Sequence, residues 1–422
     1  MTTVSARTEA VRRYPGPTQL LRGIEEWVGW LAATSGSHAS MVLDPMVAGS
    51  DTIRKLGDAM TLRGWDFDIR ILHEPLDSSS AENLANDLSG TDLVIGVGGG
   101  SVLDHCKLAV AIDGNRVAGT MIRAHQRGSL ISLPGHFVRT IPLCAVPTTL
   151  GTGSETSSVA CVQHGEAKRL VMGPGLRPDC AVMHVAATDT LPHELVFEGI
   201  LEVLLRTVGP YVGHRAGSPV ADALAESIAA ELVSMAEFSL ADIEATRSVG
   251  RGTRAAIAHA SAFTHTEWLA NSRNPYSVRG WPIANELSTV LGIRKMTAMA
   301  MIQPTLWAHT TTGDVRIGYA TRLQRIWDRM RMSAGTELAS DPGTGLAELL
   351  QRWMIRADTV VDASIVDTVA ERVVRHWGAG LPLLGDLRAA DIRTILLECT
   401  HASTRSKPVS IDTRTPPALC TG

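Results

Sequence analysis

The sequence has few of the features that mark secreted, membrane or nucleic-acid-binding proteins. Its six cysteines form no CxxC pair and no metal-ligand spacing. The N-terminal stretch has no apolar core behind its charges, as a signal peptide would have, and no apolar run approaches the length of a membrane span. Aromatic residues make up only 4%, and a net charge of −4 gives no attraction for nucleic acid or an anionic membrane. We therefore expect a reduced, cytoplasmic protein without nucleic-acid or membrane partners.

What the chain does have is enough length and apolar content for two hydrophobic cores. Its 422 residues, 45% hydrophobic and 19% charged, are typical of a globular protein with two domains. Up to about residue 190, short apolar runs alternate with helical patterns, which predicts parallel β-α-β units in a doubly wound sheet. The clearest predicted strands are Ser40–Asp44, Phe67–Leu72, Asp92–Val97 and Ile141–Val146.

Beyond Thr190 the strand-like runs give way to long helical patterns rich in Ala, Leu, Glu and Arg. We therefore predict an α/β domain over residues 1–190 and an all-α domain over residues 191–422. A buried helix is expected across Met296–Ile302. The tail from Thr404 is rich in Pro and Thr and is expected to be irregular.

The segment DLVIGVGGGSVLDHCK joins a buried strand to a helix through three glycines. Gly98, Gly99 and Gly100 allow a tight turn, and a phosphate could approach the backbone N–H groups where the helix begins at Ser101. The pattern reads GxGxxS and not the usual dinucleotide-binding GxGxxG. Asp44, at the end of the first predicted strand, is placed to accept hydrogen bonds from a ribose. A purely structural strand–helix turn remains the alternative.

A second segment, VPTTLGTGSETSSVACV, ends a strand and continues with hydroxyls and glycines, typical of a loop that binds a polar ligand. GGGSVLDHCK and PTTLGTGSE resemble the two signatures of the iron-containing (group III) alcohol dehydrogenase family, close kin of the dehydroquinate synthases. The resemblance continues through residues 167–192 and is weaker in the helical half. It implies a dehydroquinate synthase-like fold, in which the N-terminal doubly wound parallel-sheet domain binds a dinucleotide.

Carried over residue by residue, the resemblance implies NAD as the cofactor. Gly98–Ser101 would bind the pyrophosphate, and Asp44 would bind the adenosine ribose, favouring NAD over NADP because a 2′-phosphate would face a carboxylate. Thr148–Thr149 would line the cofactor, and Lys168 would reach a ribose hydroxyl. Asp104 would face the active-site cleft. From the residues alone, Lys168 could equally be a solvated hairpin lysine and Asp104 a surface carboxylate.

The family pattern breaks where the metal should lie. The family holds a divalent metal with one Asp and three His of the helical domain. Alignment of EGILEVLLRTVG places Leu201 on the Asp and Leu205 on the first His, with Glu202 displaced by one position as the sole plausible surviving ligand. Alignment of TAMAMIQP places Trp281 and Lys295 on the other two His. One glutamate cannot hold a divalent metal, so we predict a site without one.

Without a metal, the chemistry would rest on other groups. Lys295 would supply a positive charge and hydrogen-bond donors to the alcohol oxygen, and it could accept the proton if burial lowered its pKa. Asn285 falls on the family's proton-relaying His. Arg206 and Arg294 would be clamps for an anionic substrate. The two cations at 294–295 begin a helix at the end that attracts anions, which also points to an anion there.

The resulting hypothesis is an NAD-dependent dehydrogenase that oxidises a secondary alcohol, with Lys295, Asn285, Glu202 and Arg206 at the catalytic site. Overall similarity to dehydrogenases of actinobacterial peptide-natural-product pathways, such as the daptides, makes the C-terminal threonine of a peptide one candidate substrate. The alternatives are a dehydroquinate-synthase-like cyclase, and a degenerate NAD-binding scaffold that works with a partner protein. A homodimer is expected because dimers are common among relatives.

Overall fold

The computed structural model describes residues 17–405, apart from 74–75, 125, 138, 266–268, 270–272, 275–276, 358, 360 and 379–380. The N-terminal 16 residues, and the predicted irregular tail beyond residue 405, lie outside the described residues. No helix within the described part of the chain is both long and apolar enough to cross a membrane.

Among the described residues, nine strands form two sheets in the N-terminal half. They are β1 Gln19–Leu21, β2 His38–Leu43, β3 Asp66–Ile71, β4 Leu93–Gly98, β5 Leu130–Ser132, β6 Leu143–Pro147, β7 Val159–His164, β8 Ala167–Met172 and β9 Cys180–Val182. The main sheet has the order β1-β9-β6-β4-β2-β3, and all of its strand pairs are parallel. Strands β4 and β6 are buried along their whole length, as expected for a sheet covered by helices on both faces. A smaller sheet, β5-β8-β7, contains the antiparallel β7–β8 hairpin.

In the part of the chain that the structure describes, five α-helices accompany the sheets and nine follow in the C-terminal half. They are α1 Ile24–Ala32, α2 Asp51–Leu62, α3 Ser78–Asp87, α4 Gly100–Gly114, α5 Arg116–Arg123, α6 His193–Val212, α7 Pro219–Thr246, α8 Arg251–Phe263, α9 Gly280–Leu291, α10 Lys295–Thr311, α11 Ala320–Met332, α12 Pro342–Arg352, α13 Ala363–Val373 and α14 Ala389–Arg405. Separate apolar cores lie on the two faces of the main sheet, and a larger core joins the C-terminal helices.

The predicted fold class is confirmed. All four predicted strands occur, with ends displaced by at most two residues, and the expected helix at Met296–Ile302 is the buried part of α10. The short strands β1 and β9 of the main sheet were not predicted, because three residues are too few to show a periodic pattern. The last strand ends at Val182 and α6 begins at His193. The predicted domain boundary at residue 190 falls between them and stays a prediction.

Candidate active site

The predicted phosphate loop forms an open helix start at the carboxyl end of β4. Gly99 is the N-cap of α4, and no side chain caps the first N–H groups. The glycines are needed because the loop after β6 packs directly on them. A Cβ on Gly99 would lie 3.1 Å from Thr149 Cγ2, and one on Gly100 would lie 3.0 Å from Thr152 Cγ2. The start of α4 thus has no side-chain cap, and a pyrophosphate at this turn stays a prediction.

The other predicted cofactor residues lie at the same edge of the sheet. Asp44 follows β2, and its backbone N–H donates to the carbonyl of Val97 at 3.0 Å. Its carboxylate accepts a hydrogen bond from the N–H of Met46 at 2.9 Å. Thr148 follows β6 and donates its N–H to Gly98 at 3.0 Å. The fold therefore brings together, at the ends of three neighbouring strands, residues that lie over 100 positions apart in sequence.

Asp104 joins α4 to the segment that follows the hydroxyl-rich loop. Its carboxylate accepts hydrogen bonds from Ser154 Oγ, from the backbone N–H of Cys161 at 2.8 Å and from Lys107 Nζ at 3.3 Å. Lys107 is fully buried and also donates to the carbonyl of Val159 at 3.0 Å. These contacts stabilise the start of β7 against α4. The contact of Asp104 with a cofactor stays a prediction.

Helix α6 presents a carboxylate and a guanidinium to the start of α10. Leu201 and Leu205, on which the alignment had placed the family's metal ligands, are buried in the helical core. Glu202 and Arg206, one position further along, lie at the site instead. Glu202 Oε1 accepts a hydrogen bond from Lys295 Nζ at 2.6 Å and lies 3.7 Å from an Arg206 nitrogen. The structure thus brings together Lys295, Glu202 and Arg206, which the sequence had named as site residues, and their catalytic roles stay a prediction.

The unfavourable pair of cations at the start of α10 is neutralised within the chain. Arg294 makes a bidentate ion pair with Glu198, with Nε and an Nη atom 2.8 Å and 2.6 Å from Oε1. Lys295 pairs with Glu202, one helical turn further along α6. The anion expected at this helix start is thus supplied by two glutamates of α6. Arg294 was predicted to clamp an anionic substrate, but in the structure its guanidinium pairs with Glu198.

Arg206 is likewise committed to partners within the chain. Its guanidinium donates to the carbonyls of Gly151 and Thr152, the second at 2.9 Å, and to Thr264 Oγ1 at 3.1 Å. These contacts attach the loop after β6 to α6 and to the end of α8. Arg206 therefore holds the loop after β6, the predicted cofactor loop. The edge of its guanidinium that faces Gly151 is used by this contact and is not available to clamp a substrate anion.

The environment of Lys295 keeps its ammonium group charged. Burial alone would lower its pKa, but the Glu202 carboxylate outweighs burial, and the net effect is a raised pKa. Nζ also lies 5.0 Å from the ring centroid of Trp281, within cation–π distance. The raised pKa does not favour the base role that burial alone would give Lys295. The group is suited to donate a hydrogen bond or a proton.

Cys161 and Lys168 complete this part of the cleft. Lys168, on β8, donates a hydrogen bond to Ser288 Oγ of α9 at 3.3 Å. Cys161, on β7, is exposed, and its backbone N–H donates a hydrogen bond to Asp104 at 2.8 Å. Cys161 was not predicted as a site residue, because a single cysteine in a strand carries no distinguishing pattern. Asn285 is buried on α9, and its proton-relay role stays a prediction.

The donor set does not suit a divalent metal. Among the described residues, no group of three or more His, Cys, Asp or Glu side chains converges on one point. At the site itself, Glu202 is held by a lysine in place of a second ligand. The nearby histidines lie elsewhere: His259 lines a separate narrow cavity beside Thr149, and His265 Nε2 is buried without a hydrogen-bond partner.

A parallel sheet with an open helix start, a hydroxyl-rich loop and a helical C-terminal half is an arrangement found in dinucleotide-binding oxidoreductases. Residues 17–185 match the family model described as "Iron-containing alcohol dehydrogenase". The chain is 20% identical to NADH-dependent butanol dehydrogenase A of Clostridium acetobutylicum over 73% of its own length and 77% of that protein's. It is 30% identical to phosphonoacetaldehyde reductase of Streptomyces viridochromogenes, over 45% of this chain and 50% of the relative.

Solved structures extend the similarity to the helical half. Sulfoacetaldehyde reductase from Bifidobacterium kashiwanohense, solved in complex with NAD+, superposes with a TM-score of 0.70, covering 93% of this chain and 99% of that one at 16% identity. The resemblance that the motifs predicted is thus borne out by the family model over residues 17–185, and the fold of the solved structures extends over most of the chain.

Proposed function

We propose that this protein is an NAD(H)-dependent carbonyl reductase and alcohol dehydrogenase in which the Lys295–Glu202 ion pair stands in place of the metal. The observation that carries the proposal is the 2.6 Å contact between Lys295 Nζ and Glu202 Oε1 at that position. A metal would polarise the substrate oxygen and stabilise the developing alkoxide. A fixed ammonium group offers the same sign of charge together with a transferable proton.

The roles of the chain's own residues follow from their charges. NADH, held by the Gly98–Ser101 turn, would supply the hydride. Lys295 donates a hydrogen bond to the carbonyl oxygen, and its proton moves from Nζ to that oxygen as the carbon is reduced to the alcohol. Glu202 holds the ammonium group in position and stabilises its charge. Lys295 then regains a proton from solvent, and oxidation of the alcohol is the reverse sequence.

An anionic substrate is supported by the charges of the cleft and by the named activities of two relatives. The site contains three cations, Lys168, Lys295 and Arg206, and Glu202 is the carboxylate that pairs with Lys295. A phosphonoacetaldehyde reductase and a sulfoacetaldehyde reductase, both acting on aldehydes that carry an anion, are among the similar proteins. The C-terminal carboxylate of a peptide belongs to the same chemical class, so the peptide substrate suggested by the sequence stays within this proposal.

The test of the proposal combines metal analysis with turnover. The purified protein is assayed by elemental analysis and for NADH oxidation with a panel of anionic and neutral aldehydes, with and without a chelator. We expect no stoichiometric divalent metal and chelator-resistant turnover. Stoichiometric zinc or iron, or activity lost to the chelator and restored by metal, would contradict the metal-free site.

The same experiment separates the alternatives. A dehydroquinate-synthase-like cyclase would need the metal and would act on a phosphorylated sugar without net NADH consumption. A scaffold would bind NADH without turning over any aldehyde until a partner protein was added. The homodimer and the cytoplasmic location expected from the sequence are further proposals, and sedimentation of the purified chain tests the first.

A further inference from the structure

The ammonium group of Lys295 has neighbours on two different helices. Its Nζ lies 2.6 Å from Oε1 of Glu202 on α6 and 5.0 Å from the ring centroid of Trp281 on α9. A lysine ammonium group has three N–H donors and no acceptor. The carboxylate accepts a hydrogen bond from one of them, and the aromatic face attracts the positive charge from another direction. The end of the side chain is thus held at two points.

The packing of α9 on α10 brings Trp281 to this position. Gly280 lies directly against α10, where an added Cβ would be 3.1 Å from Met299 Cε and 2.9 Å from Gln303 Oε1. Met299 lies one helical turn from Lys295, on the same face of α10. The close approach at Gly280 therefore places the next residue along α9, Trp281, within reach of the ammonium group.

Both contacts leave the ammonium group accessible from the cleft. The side chain of Lys295 is 32% exposed, and Trp281 is only partly buried. Because lysine has a flexible aliphatic stem, a hydrogen bond to Glu202 alone would leave the direction of the other N–H groups undetermined. The second contact, with the ring of Trp281, restricts that direction.

We propose that Trp281 is a positioning residue for Lys295: together with Glu202, it directs a remaining N–H of the ammonium group toward the carbonyl oxygen of the substrate. The inference rests on the proposed reductase function, in which this N–H polarises the carbonyl and supplies the proton. Trp281 acts through Lys295, by the charge distribution of its ring. An apolar wall of the cleft would instead act on the substrate by its bulk, and the two roles predict different changes in kcat and KM.

The test compares Trp281→Phe with Trp281→Leu, which both shorten the side chain but differ in whether an aromatic face remains. NADH-dependent reduction of propanal is measured at saturating NADH. Loss of the ring in Trp281→Leu should lower kcat by about 5- to 30-fold, whereas Trp281→Phe should stay within about threefold of wild type. KM for propanal should change by less than about threefold in both variants. The control is Trp30→Leu, on α1 and packed against a core of the main sheet, which should keep the wild-type kcat.

Three outcomes would overturn the inference. Equal losses of kcat in Trp281→Phe and Trp281→Leu would show that the bulk of the side chain matters and its aromatic face does not. A raised KM for propanal with unchanged kcat would make Trp281 a wall of the substrate pocket. Wild-type kcat and KM in Trp281→Leu would show that Lys295 needs no second contact.

If the wild-type protein reduces no aldehyde, the proposed function fails, and the contact between Lys295 and Trp281 is tested without turnover. The protein is treated briefly with acetic anhydride, and peptide mass spectrometry measures acetylation of Lys295 relative to Lys55, which lies on α2 and pairs with Asp51. Both variants are smaller at position 281 and admit the reagent, so they are compared with each other. Lys295 should be acetylated about 2- to 30-fold faster in Trp281→Leu than in Trp281→Phe, because an aromatic face stabilises the charged, unreactive form. Equal rates in the two variants would contradict the positioning contact.

Discussion

At the scale of single residues, the decisive feature is the lysine at the start of α10 that is held by a glutamate of α6. The side chain of Lys295 is 32% exposed and that of Glu202 11% exposed, so the pair is only partly screened by water. Burial lowers the pKa of Lys295, and the Glu202 carboxylate opposes that shift. The ammonium group of Lys295 is thus fixed in position and kept charged by its partner.

The first prediction concerns Lys295→Met. Loss of the proton donor should lower kcat for aldehyde reduction by about 100-fold or more, the usual contribution of a general acid. The Kd for NADH should stay unchanged, since Lys295 contacts Glu202 and Trp281 and not the phosphate turn. Fluorescence titration with NADH and steady-state kinetics measure the two effects. Arg294→Lys, which keeps a cation beside Glu198, is the neighbouring control and should stay within about fivefold of wild type.

The second prediction concerns pH. Because Glu202 raises the pKa of Lys295 above its ordinary 10.5, the ammonium form persists through neutral pH. Reduction should therefore show no loss of kcat between about pH 6 and 9 that belongs to Lys295. Oxidation of the alcohol should become faster as the pH rises, since it requires the unprotonated amine. An acidic pKa in the reduction profile that moves in Lys295→Arg would contradict this assignment.

At the scale of elements, α6 and the loop after β6 touch through glycines. A Cβ on Gly199 would lie 2.6 Å from the carbonyl oxygen of Leu150, and Gly151 has φ +95°. Arg206, two turns along α6 from Gly199, holds the same loop. The helix that carries Glu202 is therefore positioned by its contact with the predicted cofactor loop.

The third prediction follows from that contact. Gly199→Ala should displace the loop and destabilise the protein by about 1–3 kcal/mol, because backbone and not a flexible side chain opposes the methyl group. It should also weaken NADH binding, as measured by titration at a temperature where the variant is folded. Gly252→Ala, in α8 with no atom within 4 Å of the new Cβ, is the control. Equal NADH affinity in Gly199→Ala would show that the loop position does not matter for the cofactor.

Parts of the fold and of the site could be predicted from the sequence where the contacts that determine them are local along the chain. The strand–glycine–helix segment at 93–101 was predictable because pattern and turn chemistry lie in one stretch. The partners of Arg294 and Lys295 were not, since Glu198 and Glu202 lie over 90 residues away and pair only after α6 and α10 cross. Packing also decides which side of α6 faces the site: Leu201 is fully buried in the helical core, whereas Glu202 pairs with Lys295.

At the scale of the whole molecule, a buried histidine lies where the helical half meets the loop of the sheet domain. His265 Nε2 is buried without a partner, and a Cβ on Gly153 would lie 2.3 Å from it. Burial first, then the charges of Arg206 and Lys107, hold the pKa of His265 well below 6.5. The neutral imidazole is therefore the form that this junction accommodates.

The fourth prediction is acid destabilisation through this residue. Below about pH 6.5, His265 binds a proton in the unfolded protein but not in the folded protein. The stability that the neutral imidazole contributes is therefore complete above that pH and is lost as the pH falls. The loss should approach about 1.4 kcal/mol per pH unit below 6.5. Urea unfolding between pH 5 and 7.5 should thus show a weaker pH dependence in His265→Gln than in wild type. His193→Gln, at an exposed position at the start of α6, should keep the wild-type dependence, and parallel curves for all three proteins would assign the acid sensitivity to other groups.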